Sequence, residues 1–217
     1  VLGELFLAME LVDGTNVSQL LRGVASRDDA VPLDAALHIT QQTAHALAYA
    51  HAMTDDAAQP LSIVHRDVSP QNVMISYEGI VKLLDFGIAK ASIHSAHTEA
   101  GVIKGKFAYM SPQQCLGEPV DSRADVFSLG VCLFEALAGG NPYRRKTEFE
   151  TMKLIVGGPP PPLRGYRPDV SEAVERSVEK ALAQEPEDRY QTAGDMQLAL
   201  ERELADLGAL MNSSRVG

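Results

Sequence analysis

Apolar residues recur along the chain with the spacing of α-helices. Between residues 33 and 53, Leu37, Ala44 and Leu47 lie on one face of the predicted helix. Residues 125–138 are apolar nearly all round, which is typical of a helix buried on every side. Helices are predicted over residues 16–22, 33–53, 125–138, 147–156, 171–182 and 192–207. The pattern therefore predicts a chain that is mainly α-helical.

Shorter apolar runs between Gly-containing turns predict strands. Residues 73–75 and 80–84 flank a turn at Glu78-Gly79 and are typical of a β-hairpin. Residues 5–12 are strand-like and end at Asp13-Gly14, which is a turn signal. Together with the helices, these strands predict an α+β fold in which helices predominate.

Polar residues with metal-binding chemistry lie on both sides of the hairpin. Asp67 and Asn72 stand five positions apart in a Pro-containing loop before it, and Asp85 follows its second strand. We expect the hairpin to bring these three side chains into one small volume. Since carboxylate and amide oxygens suit a hard cation, the arrangement indicates a Mg²⁺ site.

The loop and the end of the hairpin resemble two signatures of the protein kinases. Residues 64–72 (VHRDVSPQN) are similar to the catalytic loop of that family, and residues 84–87 (LDFG) to its metal-binding loop. Three later matches keep the family's order and spacing: DVFSLG at 125–130 in the central helix, MSPQ at 110–113 at the end of the activation segment, and Arg189. The chain thus resembles the bacterial, eukaryotic-like Ser/Thr protein kinases.

This resemblance implies that the chain is the C-terminal, large lobe of the protein kinase fold. Residues 1–14 would be the last strand of the small lobe and the hinge, 15–207 the large lobe, and 208–217 the start of a linker. A complete kinase also has a Gly-rich loop, a Lys that contacts phosphate and a Glu on a small-lobe helix. None of these occurs in the sequence, so the 217 residues alone are expected to be inactive.

By the same resemblance, the intact parent protein transfers the γ-phosphate of ATP to Ser or Thr residues of proteins, with Mg²⁺. Asp67 would orient the substrate hydroxyl or accept its proton, while Asn72 and Asp85 would hold Mg²⁺ against the phosphates of ATP. The residues implied to bind the adenine are Met9 at the gatekeeper position, Glu10 and Val12 through their backbone, and Met74 as the floor.

Further residues are implied to shape or regulate the site. Phe86 and His65 would pack together beneath it, and Asp125 would accept backbone N–H bonds from the catalytic loop. Arg66 would pair with a phosphate on the activation segment. The other supporting positions are Gly87, Gln113 and Arg189, and the phosphorylation sites of the loop over residues 91–105 would be Ser92, Ser95 and Thr98.

Three positions depart from the family pattern. Ser69 stands where Ser/Thr kinases usually carry Lys, Lys106 stands where they carry Thr, and Gln113 replaces a Glu. Losing the Lys alone would remove a cation from beside the transferred phosphoryl group and weaken charge stabilisation. We therefore hypothesise that the hydroxyl and the ammonium of the family pattern have exchanged places between positions 69 and 106. Lys106 would reach over Asp67 and resupply the charge, with Ser69 bonded to Lys106 or to Asp67. Gln113 is still expected to meet Arg189, through a neutral amide.

Composition narrows the range of partners. The chain has 217 residues, which suits one domain, and a net charge of −10 without a basic stripe, which disfavours nucleic acid. Its two cysteines are interpreted as idle thiols of a reducing compartment. No apolar run approaches the roughly 20 residues of a membrane span. We expect a cytoplasmic domain that makes no membrane contact and whose partners are ATP and protein substrates. Whether the intact parent protein dimerises, and whether another segment of it anchors it to a membrane, stays open.

Two other functions stay open. A pseudokinase, which would bind nucleotide or act as a scaffold without catalysis, is favoured by Ser69 and Gln113 and disfavoured by the retained catalytic and metal-binding residues. A kinase-like phosphotransferase for small molecules is disfavoured by the central-helix signature and by Arg189.

Overall fold

Helices make up most of the computed structural model, which describes residues 9–27, 29–86 and 106–208. Gly87, the three candidate phosphorylation sites and residues 5–8 of the strand-like run lie outside the described residues, as does the expected linker after residue 208. Residues 9–12 of that run are described and do not form a strand, because the first strand begins only at Gly14. The α-helices are α1 (Val17–Ala25), α2 (Leu33–His51), α3 (Pro112–Leu116), α4 (Arg123–Ala138), α5 (Glu148–Gly157), α6 (Glu172–Ala181) and α7 (Ala193–Asp206). The strands are β1 (Gly14–Asn16), β2 (Val73–Ser76) and β3 (Val81–Leu83), and single 3₁₀ turns cover Lys106–Tyr109, Leu163–Gly165 and Pro186–Asp188. This confirms the mainly helical α+β fold. Among the described residues, every helix is too short or too polar to cross a membrane.

Polar caps decide where the helices begin. Asn16, Ser111, Thr147 and Thr192 each accept a backbone N–H of the helix that follows, and the residue three positions on returns a bond to the cap's own N–H. Each of these capping boxes satisfies two N–H groups that would otherwise lack partners. The predicted helices are all present, and their ends differ by a few residues because a cap is not itself helical.

The three strands form one antiparallel sheet in the order β1-β2-β3. β2 and β3 pair as the predicted hairpin, with Val73 opposite Leu83. The interpretation of Asp13-Gly14 as a turn is wrong, because Gly14 is the first residue of β1 and lies opposite Ser76. A Cβ at residue 14 would lie 2.0 Å from the carbonyl oxygen of Ile75. Glycine is therefore required there for the close approach of two backbones.

The hydrophobic core is built around α4, which is buried along nearly its whole length. α2 packs against α4 and against α7, and α6 packs against α4. Gly130 allows the contact with α6, since a Cβ there would lie 2.8 Å from the Cβ of Ala181. On α7, Leu200 and Leu204 are buried, whereas Leu207 is 45% exposed because the helix ends at Asp206, one residue before the predicted end.

The surroundings of both thiols make them unreactive. Cys132 is buried inside α4, and burial raises its pKa well above the ordinary value. Cys115 is half-buried, and this partial burial raises its pKa to about 11. Since the thiolate is the nucleophilic form, both side chains are poor nucleophiles at neutral pH.

Candidate active site

Asp125 organises the loop that carries the candidate catalytic residues. Its side chain is fully buried on α4 and accepts the backbone N–H groups of His65 and Arg66 at 2.8 Å each. His51, the last residue of α2, places Nε2 2.8 Å from Asp125 Oδ2. Because an ionised carboxylate only accepts, Nε2 carries the proton of that bond. Three donors thus satisfy one buried carboxylate, which holds the loop in a defined conformation.

His65 connects the catalytic loop to the end of the hairpin. Its Nδ1 accepts the backbone N–H of Asp67 at 3.2 Å, and its Nε2 donates to the carbonyl oxygen of Leu84 at 2.9 Å. These partners are consistent with the neutral tautomer protonated on Nε2. The ring lies 4.6 Å from that of Phe86, centroid to centroid, tilted by 52°. His65 and Phe86 therefore form the packed pair that the sequence indicated.

The carboxylate of Asp67 lies between an amide and an ammonium. Asn72 Nδ2 donates to the Asp67 carbonyl oxygen at 2.8 Å and to Oδ2 at 3.3 Å. Lys106 Nζ lies 2.6 Å from the same Oδ2, and the two side chains are 28% and 12% exposed. A charge-assisted bond of this length is among the stronger contacts in a protein. The fold thus brings Lys106 over Asp67 across 39 positions of sequence.

Ser69 does not complete this arrangement in the way the sequence predicts. Its hydroxyl is buried and has no hydrogen-bond partner among the described residues. The predicted bond from Ser69 to Lys106 or Asp67 is therefore not formed. The reason is local: Ser69 begins a turn in which its carbonyl oxygen accepts the N–H of Asn72 at 2.9 Å, so its backbone rather than its hydroxyl shapes the loop.

The residue before Asp85 is bonded to the catalytic loop. The backbone N–H of Leu84, one residue earlier, donates to the carbonyl oxygen of Asn72 at 2.8 Å. Asp85 has a φ of 54° and Arg66 a φ of 62°. Non-glycine residues rarely occupy this left-handed region, and those that do cluster at functional sites.

The oxygens that remain available suit Mg²⁺. Asn72 uses its Nδ2 toward Asp67, while its Oδ1 makes no hydrogen bond with the described residues. The side chain of Asp85 is exposed and pairs with no cation of the described residues. One carboxylate and one amide, completed by phosphate oxygens and water, form an ordinary set of Mg²⁺ ligands. The residues present therefore fit the predicted cation.

Arg189 and Gln113 meet, as the sequence analysis expected. The Arg189 guanidinium is only 2% exposed and its Nη2 donates to Gln113 Oε1 at 2.8 Å. It also donates to the carbonyl oxygens of Ala183, Arg123 and Gln184. Burial lowers the pKa of Arg189 to about 10. No carboxylate among the described residues lies close enough to pair with this buried charge.

The expected adenine residues lie along the edge of the hairpin. Glu10 forms an ion pair with Lys82, and Lys82 stands opposite Met74 in the sheet. Glu10, Val12 and Lys82 line an open cavity of about 370 Å³ between the segment before β1 and the β2–β3 turn. Met9 is 60% exposed, and Met74 is half-buried outside this cavity. The structure therefore groups two of the four residues in one cavity.

Several contacts that support the site join segments that are distant in sequence. Neither the bond from His51 to Asp125 nor that from Gln114 Nε2 to the Arg66 carbonyl oxygen at 3.1 Å was anticipated. Tyr109 donates its hydroxyl to Glu135 at 2.6 Å. No local pattern could have indicated these pairs, because each joins residues at least 26 positions apart.

The sequence matches a known protein family over most of its length. The family described as protein kinase domain matches residues 3–199. The tyrosine-protein kinase MasK of Myxococcus xanthus is 43% identical over 201 residues, which are 93% of this chain and 31% of MasK. The serine/threonine-protein kinase PknH of Mycobacterium tuberculosis is 35% identical over 204 residues, which are 94% of the chain and 31% of PknH. The chain spans about a third of the length of these curated relatives.

A solved structure shares the fold. The kinase domain of Mycobacterium tuberculosis PknI superposes with a TM-score of 0.64 at 28% sequence identity. The similarity covers 90% of this chain and 64% of that domain.

Proposed function

Because the chain belongs to the protein kinase family, we propose that the protein transfers the γ-phosphate of ATP to Ser or Thr side chains of other proteins. The observation that carries the proposal is the grouping around Asp67, where Asn72, Lys106 and the end of β3 meet on a loop held by Asp125. Phosphoryl transfer requires mainly positioning and neutralisation of charge, and these residues supply both. The activity is proposed for the complete protein, since a kinase also needs small-lobe residues that the 217 residues do not contain.

In this reaction Asp67 orients the acceptor hydroxyl and takes its proton. Its backbone N–H is fixed by His65 and its carbonyl oxygen by Asn72, so the carboxylate is positioned before substrate arrives. Asn72 Oδ1 and the Asp85 carboxylate would hold Mg²⁺, which neutralises charge on the phosphates. Positioning of this kind lowers the barrier because the reacting groups no longer have to be ordered in the transition state.

Lys106 supplies the positive charge that kinases usually take from the catalytic loop. Its ammonium is already 2.6 Å from Asp67 Oδ2, at the place where the phosphoryl group and the acceptor oxygen would meet. A fixed cation there stabilises the charge that develops in the transition state. Ser69 leaves room for this arrangement without taking part in it, since its hydroxyl is buried.

A nucleotide-binding module without catalysis is the second candidate. It is favoured by Ser69 in place of the usual Lys and by the engagement of the Asp67 carboxylate with Lys106. In that case Asp67 and Lys106 would serve as a structural ion pair. The two functions differ in turnover, whereas both permit nucleotide binding.

The test is phosphate transfer by the complete purified protein from γ-labelled ATP with Mg²⁺. We expect transfer to Ser or Thr of proteins. The phosphorylated residue has to be identified directly, because the names of two relatives differ: MasK is named a tyrosine kinase and PknH a Ser/Thr kinase. Asp67→Asn should lower turnover by about 10²–10⁴ and leave ATP affinity nearly unchanged. Asp206→Asn, on the exposed end of α7, is the matched control. Near-normal turnover of Asp67→Asn would refute the assignment.

A further inference from the structure

A second, larger concavity adjoins the candidate active site. This groove, of about 760 Å³, is bounded by α1, by Pro70 and Gln71 of the catalytic loop, by Phe107–Tyr109 and by the loop that leads into α5. Pro70 and Gln71 lie between Ser69 and Asn72 in sequence. Tyr109 lines both the groove and a small cavity that contains Asp67 and Lys106. The groove therefore begins next to the residues proposed to perform the chemistry.

The charges that line the groove differ from those of the whole chain. Its basic side chains are Arg22, Arg144, Arg145 and Lys146, against the two acids Glu135 and Glu148. The whole chain carries a net charge of −10. A cationic concavity on an anionic protein attracts anionic ligands and repels cationic ones.

One of the two acids is already neutralised by its neighbours. Glu135 is 10% exposed in its side chain, accepts the Tyr109 hydroxyl at 2.6 Å and lies 3.3 Å from Arg144 Nη1. Arg144 Nη2 also donates to the Tyr109 oxygen at 2.8 Å. In this cluster the Glu135 carboxylate is compensated by Arg144, so it does not offset the other cations of the groove.

Among the described residues, three of the four cations have no acidic partner. Arg22 donates to the hydroxyl of Ser18 at 3.2 Å, and Arg145 donates to the carbonyl oxygens of Arg144 and Pro142. Lys146 is exposed. Within residues 9–27, 29–86 and 106–208, none of these three forms an ion pair with a carboxylate. They stand on two walls of the groove, one on α1 and two on the loop before α5.

We propose that this groove binds the segment of the substrate protein around the phosphorylated residue and selects Asp and Glu side chains in it. The inference rests on the proposed kinase function and adds the class of substrate to it. An extended peptide with its hydroxyl at Asp67 would run past Tyr109 into the groove. There its carboxylates would meet Arg22 from one side and Arg145 and Lys146 from the other.

The test uses the complete protein and a set of peptides that share one acceptor residue. Asp, Ala or Lys is placed in turn at each of the neighbouring positions on both sides of the acceptor, and kcat/KM is measured. We expect Asp to raise kcat/KM about two- to fivefold over Ala at the positions that face the groove, the range of an exposed ion pair. Lys should lower it. The preference should shrink as salt is raised from about 0.05 to about 0.5 M, since these charges are solvent-exposed.

Charge reversal shows whether the groove is responsible. Lys146→Glu and Arg22→Glu each change an exposed side chain, so both variants should keep the melting temperature of the original protein. Each should remove the preference for Asp at one or more positions and favour Lys there instead. Arg202→Glu, on the exposed face of α7, is the matched control and should leave the preference unchanged.

The outcomes separate this inference from the function on which it rests. Absence of phosphorylation of every peptide and protein tested would refute the kinase function. An active enzyme that treats Asp and Ala peptides alike would overturn the groove assignment alone. The assignment also fails if the reversed variants lose activity equally on all peptides, since the charges of the groove would then not discriminate among substrates.

Discussion

Replacing Gln113 by Glu should raise the free energy of unfolding by about 1 kcal/mol. The replacement places a carboxylate against the guanidinium of Arg189, which is 2% exposed and now relies on neutral acceptors. Burial lowers the pKa of Arg189 to about 10. A lowered pKa means that the surroundings disfavour the charged form of Arg189, chiefly through burial, so holding this charge has a free-energy cost. A carboxylate at residue 113 would recover part of that cost.

The magnitude follows from the bonds that change. The bond from Arg189 Nη2 to residue 113, now 2.8 Å long, would become charged on both sides. Because the guanidinium is already charged, the present bond belongs among bonds to charged groups, which contribute about 1.5–3 kcal/mol, and a second charge on the acceptor should add about 1–2 kcal/mol. Against it, Gln113 Nε2 donates to the carbonyl oxygen of Gln184 at 3.2 Å, and Glu cannot make this bond. Losing a bond of that length costs about 0.5–1 kcal/mol, which leaves a net gain of about 1 kcal/mol.

Urea unfolding of the two proteins, followed by circular dichroism, measures the difference. With a slope of about 1–3 kcal/mol per molar urea, the midpoint should rise by roughly 0.3–1 M. In the folded variant, Arg189 should depress the pKa of the introduced carboxyl below its unfolded value of about 4.3. The gain is therefore fully present above about pH 4.3 and lost as the pH falls through the lower folded pKa.

An apolar control isolates the role of the acceptor. Gln113→Met keeps the approximate size of the side chain and removes both of its bonds, so it should lower the stability by about 1–3 kcal/mol. If Gln113→Glu unfolds at the same or lower urea concentration than the original protein, the reasoning about Arg189 is wrong. The same holds if the gain persists unchanged well below the folded pKa of the new carboxyl.

The other predictions concern the active site and one thiol. Lys106→Thr should lower turnover about 10²–10³-fold, and adding Ser69→Lys to that variant should restore much of the loss. If Lys106→Thr has normal steady-state kinetics, or if the effects of the two changes are simply additive, the proposed exchange of roles between positions 69 and 106 is refuted. His51→Phe removes a donor from the buried Asp125 carboxylate, so thermal or urea unfolding should show a loss of about 2 kcal/mol, and an unchanged midpoint would contradict that role. Cys115, whose pKa is raised to about 11, should react with iodoacetamide at about pH 8 far more slowly than an unfolded-chain thiol; equal rates would count against its partial burial.

Much of the fold could be predicted from local pattern alone. The helices follow from apolar spacing and from caps such as Thr147 and Thr192, because these interactions join residues only three or four positions apart. The hairpin of β2 and β3 follows from two apolar runs around one turn. The spacing of Asp67 and Asn72 is likewise a local property, and the two side chains do meet.

Only the tertiary structure decided which groups complete the site. His51 reaches Asp125 across 74 positions, and Gln114 reaches the carbonyl oxygen of Arg66 across 48. Both contacts depend on how α2, α3 and α4 pack around the catalytic loop. Asp13-Gly14 is a typical turn dipeptide, yet Gly14 begins β1 and pairs with Ser76 of β2, where only glycine allows the two backbones to approach. Local sequence patterns reflect interactions between residues that are close in the chain, whereas these contacts form only when distant segments pack against each other. Nothing in the sequence near each residue specifies the other.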